Sequence, residues 1–132
     1  MIFIDTSAIY ALASRSDVNH ASAKAKFAAL VESNVPVITH NYVIVEALAL
    51  LQHRLGLASA SRFERESRWL HIEWITPEIH AEAARRWSVG TRTVSFVDQV
   101  SFLIMQLRGM STAFAFDEDF EESGFELYSE VL

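Results

Sequence analysis

Cysteine is absent from the 132 residues. That excludes a disulfide framework and any thiolate metal site. Glycine occurs four times and proline twice, and no linker, internal repeat or low-complexity stretch divides the chain. No apolar run reaches the ~18 residues of a membrane span. The apolar N-terminus is interrupted by Asp5, and the first base is Arg15, so the basic-then-apolar order of a signal peptide is missing. Positive charge is also short: 11 bases face 17 acids, a net charge of −6. Nucleic-acid binders usually carry a basic footprint instead. What is present is apolar. At 51% hydrophobic residues disorder is excluded, and a chain this long buries roughly two-thirds of its unfolded surface. The expectation is a single domain over residues 1–132, cytoplasmic and without a membrane segment.

The acidity is uneven. From Asp117 onward there are seven acids and no base, whereas residues 1–116 hold ten acids and eleven bases. The negative balance therefore belongs to the tail, and its meaning depends on where those acids sit.

Apolar periodicity and turn chemistry divide the chain into alternating elements. IFI at 2–4 reads as a strand, followed by a helix over about 6–14. Asp17 is a cap for a second helix at about 18–33. VPVITH at 35–40 reads as a strand. Residues 41–55 form a strongly apolar helix and 58–70 a charged amphipathic one. HIEWI at 71–75 is a strand. Thr76 before Pro77 starts a helix over 77–88, and another spans 96–108. TAFAF at 112–116 is a strand and FELY at 125–128 an edge strand. Gly56, Gly90 and Gly109 each follow a helix, where a positive φ is wanted. Strands alternating with helices predict an α/β fold with a parallel sheet.

Five aspartates occur: Asp5, Asp17, Asp98, Asp117 and Asp119. Asp5 follows the strand IFI and Asp117 follows TAFAF. Both place an acid at the carboxyl end of a strand, where ligands bind in open α/β sheets. Two anions converging there repel unless a cation separates them or one takes a proton. The alternative is that each caps the next helix. Glu46 is the one charge between Asn41 and Gln52. A carboxylate in so apolar a helix costs several kcal/mol unless paired or metal-bound; an exposed edge or an Arg partner is the bland account. Asp98 lies in Ser95-x-x-Asp98, a capping-box pattern that also holds an acid at a helix N-terminus. The histidines are scattered at 20, 40, 53, 71 and 80, without metal-ligand spacing. An all-oxygen set suits Mg²⁺ or Mn²⁺ over Zn²⁺, and such ions act on phosphate esters.

These segments resemble the PIN-domain family, most closely the VapC-type ribonuclease toxins of toxin–antitoxin pairs. IFIDTSAIYALASRSDVNHASA is similar to the family's first motif, with Asp5 as its acid. NYVIVEALALL is similar to the second, with Glu46, and SFVDQVSFLIM to the third, with Asp98. TAFAFDEDFEESGFELY is similar to the closing motif, with Asp117. The likeness runs nearly end to end. It implies a three-layer α/β/α fold around a parallel sheet of four or five strands. It also implies a Mg²⁺- or Mn²⁺-dependent endoribonuclease, a homodimer, and an antitoxin that blocks the site. Many relatives carry a basic or neutral residue where this chain has Asp119, so either Asp117 or Asp119, or both, completes the set.

On that basis Asp5, Glu46 and Asp98 are expected to hold the metal, with Asp117 and Asp119 in support. Thr6 and Ser7 are candidates to hydrogen-bond Asp5 or the phosphate; helix capping is their simpler role. Arg92, in GTRTVS, is a candidate phosphate contact or an ordinary surface Arg. Asp17 and His20 read as a cap and its neighbour. Trp69, Trp74 and Trp87 read as core or interface, with base stacking as the lesser alternative. One face of the 41–55 helix is a candidate dimer seam. Two rivals remain: a catalytically weak or inactive PIN module that binds a protein partner, and a stand-alone PIN nuclease without antitoxin. A haloacid-dehalogenase reading fails because it needs an acid at position 7, where Ser7 stands.

Overall fold

The computed structural model describes residues 1–129. Strands β1 (Ile2–Ile4), β2 (Val37–His40), β3 (His71–Glu73), β4 (Thr112–Phe114) and β5 (Glu126–Leu127) form one sheet in the order β3-β2-β1-β4-β5. Every pairing is parallel. The helices are α1 (Thr6–Ala13), α2 (His20–Glu32), α3 (Asn41–Leu55), α4 (Leu57–Glu66), α5 (Pro77–Ser88), α6 (Phe96–Leu107) and α7 (Asp119–Glu122). A 3₁₀ turn, Ser67–Trp69, follows α4. With the right-handed crossovers that parallel sheets adopt, the path from β1 to β2 to β3 puts α1–α4 on one face of the sheet. The return from β3 to β4 places α5 and α6 on the other. This is the expected three-layer α/β/α arrangement.

Strand alternation divides the core between the layers. Phe3 meets Phe120 of α7, which packs edge-on against Phe102 of α6. Ile4 turns the other way, toward a groove lined by Leu12, Phe27 and Phe63. Phe3 and Ile4 are both essentially inaccessible, and burying such a side chain contributes roughly 1.5–3 kcal/mol.

The sheet reverses direction of travel between β1 and β4, which are paired neighbours. That switch point, at the carboxyl ends of the strands, is where open α/β sheets form their ligand crevice. The local signals that lead into it behave as read. Thr76 caps α5 with Pro77 in the first turn. Ser95 and Asp98 make a reciprocal capping box on α6.

Several boundaries need correction. α2 begins at His20 rather than 18, and its N-cap is Asn19. Asp17 instead accepts from the Asn19 backbone N–H at 2.9 Å, a turn that uses up the carboxylate before the helix starts. The helix read over 58–70 ends at Glu66 and tightens into the 3₁₀ turn. β2, β3, β4 and β5 are each shorter than the apolar run that announced them. The segment read as an acidic tail contains α7. Gly90 has no positive φ. A Cβ there would stand 3.2 Å from the Arg86 carbonyl and from Gln99 Nε2, so crowding between α5 and α6 accounts for that glycine. Glu130, the last tail acid, lies outside the described residues.

Candidate active site

The carboxyl edge is assembled from β1, α1, α3, α6 and the β4–α7 link. Asp5 ends β1 and is itself the N-cap of α1. Its Oδ2 accepts from the Ser7 hydroxyl at 2.9 Å and the Ser7 backbone N–H at 3.3 Å. Ser7 Oγ in turn accepts from the Phe116 backbone N–H at 2.9 Å. One hydroxyl thus fixes the Asp5 rotamer and ties β1 to the segment that carries Asp117. Thr6 donates to Glu46 Oε1 at 2.6 Å, fastening α1 to α3. Neither Thr6 nor Ser7 caps the helix, because Asp5 does. Glu46 is half-buried and, among the described residues, has no Arg partner within ion-pair distance, so the Arg-partner account is set aside.

Asp98 sits on the first turn of α6, its Oδ2 accepting from the Ser95 N–H at 3.3 Å. The other carboxylate oxygen is left for the crevice. Asp117 Oδ1 accepts from the Asp119 N–H at 2.9 Å, a turn that brings both acids back toward α6. Asp98, Asp117 and Asp119 each offer an oxygen within 4.8 Å of the others. Both acids of the closing segment therefore join this cluster.

The electrostatics extend the cluster to β1 and α3. Asp5 is 4% exposed and Asp98 8%. Burial pushes the Asp5 carboxyl up to about 6, against the Ser7 hydrogen bonds, with Glu46 adding repulsion. Burial pushes Asp98 up to about 7, helped by the charges of Asp5 and Asp117. Asp119 is also raised, by burial and by Asp117. Desolvation and like charge both favour the neutral acid. Among the described residues no base forms an ion pair with any of these carboxylates. An oxygen-only, anionic, partly buried set without internal compensation fits a hard divalent cation.

A second network holds this edge and was not legible beforehand. His40 is fully buried at the end of β2 and caps α3, its Nδ1 accepting from the Val43 N–H at 3.3 Å. Burial lowers its imidazole to about 3, so the ring is neutral at physiological pH. Nε2 then carries the proton and donates to Ser101 Oγ at 2.8 Å. Ser101 Oγ in turn donates to the Val97 carbonyl at 3.0 Å. The chain runs from β2 to α6, one helical turn from Asp98. The only advance signal was a lone histidine at a strand–helix junction.

The remaining candidates stand outside this cluster. Arg92 is exposed in the turn before α6 and makes no hydrogen bond or ion pair among the described residues. His20 Nδ1 bonds the Ala11 carbonyl at 2.7 Å, closing the α1–α2 corner. Trp69, Trp74 and Trp87 are 54%, 71% and 50% exposed, which removes them from the core.

The PIN domain family model matches residues 2–126. VapC20 of Mycobacterium tuberculosis, a 23S rRNA-specific endonuclease, is 39% identical over 130 residues, covering 95% of both chains. The crystal structure of VapC20, described as a sarcin–ricin-loop-cleaving toxin, superposes with a TM-score of 0.83 at 35% identity. That match covers 99% of this chain and 98% of VapC20. With its parallel sheet, switch-point crevice and carboxylates on four separate segments, this chain belongs to the PIN-domain family.

Proposed function

We propose that this protein is a divalent-metal-dependent endoribonuclease, the toxin of a toxin–antitoxin pair, built as one PIN domain across the chain. The observation that carries the reading is the uncompensated carboxylate cluster at the switch point, in a chain so similar to VapC20. The substrate class is structured ribosomal RNA, by likeness to an enzyme specific for 23S rRNA. The partners are a cognate antitoxin, which blocks the site, and a second copy in a homodimer. Its setting is the cytoplasm, where ribosomes are; no described helix is long and apolar enough to cross a membrane.

Asp5, Glu46 and Asp98 would hold Mg²⁺ or Mn²⁺, with Asp117 and Asp119 completing the set. When bound, the ion supplies a water of lowered pKa and charge stabilisation at the phosphoryl oxygens. The chain's own residues do the rest. Ser7 keeps Asp5 in one rotamer, and Thr6 keeps Glu46 turned inward. The capping box fixes Asp98 with one oxygen turned to the crevice. Such supporting hydrogen bonds tune ligand geometry and basicity. Arg92, exposed ahead of α6, would contact a flanking phosphate.

The test is cleavage of a stem-loop RNA spanning the 23S sarcin–ricin loop. Cleavage at one position with Mg²⁺ or Mn²⁺, and none in EDTA, is expected. An intact RNA under both conditions would reject the ribonuclease reading and favour an inactive binding module.

A further inference from the structure

Glu46 and Asp98 belong to opposite helical layers, one on α3 and the other on α6. One buried ring joins those two helices. His40 ends β2 and is the N-cap of α3, where its Nδ1 accepts from the Val43 backbone N–H at 3.3 Å. Glu46 lies in the next turn of that helix. On the far side of the ring Nε2 donates to Ser101 Oγ of α6 at 2.8 Å. Ser101 stands three residues after Asp98, a spacing that makes them neighbours on the helix surface. Its hydroxyl ends the link on the carbonyl of Val97 at 3.0 Å, the residue before Asp98. Phe3 of β1 lies beside the imidazole, 5.7 Å between ring centroids, and the ring is closed to solvent. Burial keeps it neutral, the one state that accepts at Nδ1 while donating at Nε2. Among the described residues, no other side-chain hydrogen bond ties another element to the first half of α6.

Resting on the metal-dependent ribonuclease reading, we propose that His40 is a positioning residue for the metal: by capping α3 and holding Ser101, its imidazole sets the separation of Glu46 from Asp98. Helix axes pack at about 8–10 Å depending on the side chains between them. An ion such as Mg²⁺ demands near-ideal octahedral geometry, so that range is too loose for ligands on separate helices. The other acids have ties of their own. Thr6 fastens Glu46 to α1, and Ser7 fastens Asp5 to the segment that carries Asp117. Asp98 has only its local capping box. His40 supplies the tie between the helix of Asp98 and the rest of the site.

The test separates the two ends of the ring, in the full chain, with Mn²⁺ as the probe. An Asn amide oxygen stands where Nδ1 stands and falls short of α6. A Gln amide nitrogen stands where Nε2 stands and gives up the cap. His40→Asn and Ser101→Ala are each expected to weaken Mn²⁺ binding roughly ten- to a hundredfold in calorimetry, the scale of a lost partner behind a metal ligand. His40→Gln keeps its affinity within about threefold of the parent, although loss of the cap lowers its melt. Leu30→Val shortens a buried side chain of α2; it lowers the melt and leaves the affinity unchanged. In EDTA, imidazole nitrogen spectra of the parent show a neutral His40 protonated on Nε2. Parent affinity in both His40→Asn and Ser101→Ala overturns the positioning role. Equal losses in His40→Asn and His40→Gln, or an affinity loss in Leu30→Val that tracks its melt, also overturn it and leave His40 a packing residue. So does a ring protonated on Nδ1. Where His40→Asn does not fold, Ser101→Ala decides. A parent protein that binds no Mn²⁺ fails the metal-dependent reading itself, a result distinct from all of these.

Discussion

The carboxylates of the crevice and those of the outer helical surface meet opposite circumstances. On the surface, Glu66 pairs with Arg62 at 2.9 Å, Glu64 with Arg68 at 3.4 Å, and Glu82 with Arg85 and Arg86. Hydrogen bonds from Arg85 and Arg86 hold Glu82 below its ordinary value. In the crevice, Asp5 and Asp98 are buried beside other acids and pushed to about 6 and 7. These surface acids are satisfied by the chain itself. Crevice acids are positioned by hydroxyls and backbone amides, which fix geometry without supplying positive charge. A fold that keeps such a cluster gives up stability for it, and perturbed carboxyls in a cleft are the mark of a working site.

Removing a crevice acid breaks the comparison most strongly. Asp98→Asn keeps the helix cap yet removes a charge, and it is expected to lower RNA cleavage by on the order of a thousandfold, the several kcal/mol a metal site supplies. Its metal-free fold melts no lower than the parent. Titration comes next. Asp5 and Asp98 have folded values above 3.8, so the folded chain binds more protons than the unfolded chain, and stability falls as pH rises. Each unit is worth about 1.4 kcal/mol. Melts in EDTA should drop between about pH 4 and pH 7, with a shallower slope in Asp98→Asn; equal slopes would contradict the assignment. Thr6→Val removes the hydrogen bond to Glu46 and is expected to cost ten- to a hundredfold in metal affinity, measured by Mn²⁺ titration. Glu82→Gln has the smallest effect: cleavage and metal binding unchanged, and melting close to the parent's, because exposed ion pairs contribute little.

Much of this contrast was readable in the residues. α3 and α5 begin and end where the apolar periodicity and the Thr76–Pro77 start place them. The Ser95–Asp98 box fixed one acid in advance. Asp5 and Asp117 stood out because each follows an apolar strand. What escaped was three-dimensional. Nothing in the spacing of Thr6 and Glu46, forty residues apart, announces their 2.6 Å contact. His40 and Ser101 are 61 residues apart. The short helix α7 hides among acids with low helix propensity at Asp119, and Phe120 holds it by packing on Phe3 and Phe102. The three tryptophans, read as core or interface, are not core: large aromatics are usually highly buried, whereas here each stays half in solvent or more.

Calorimetric titration of Mn²⁺ at pH 6.5, in buffers of different ionisation enthalpy, tests the central claim most directly. Ligand carboxyls must lose their protons to bind, and Asp5 and Asp98 are partly protonated at that pH. The account predicts saturable binding with proton release in the parent and in Glu82→Gln, and loss of both signals in Asp98→Asn. Binding of equal affinity and equal proton release in Asp98→Asn would show that the crevice carboxylates are not the metal site.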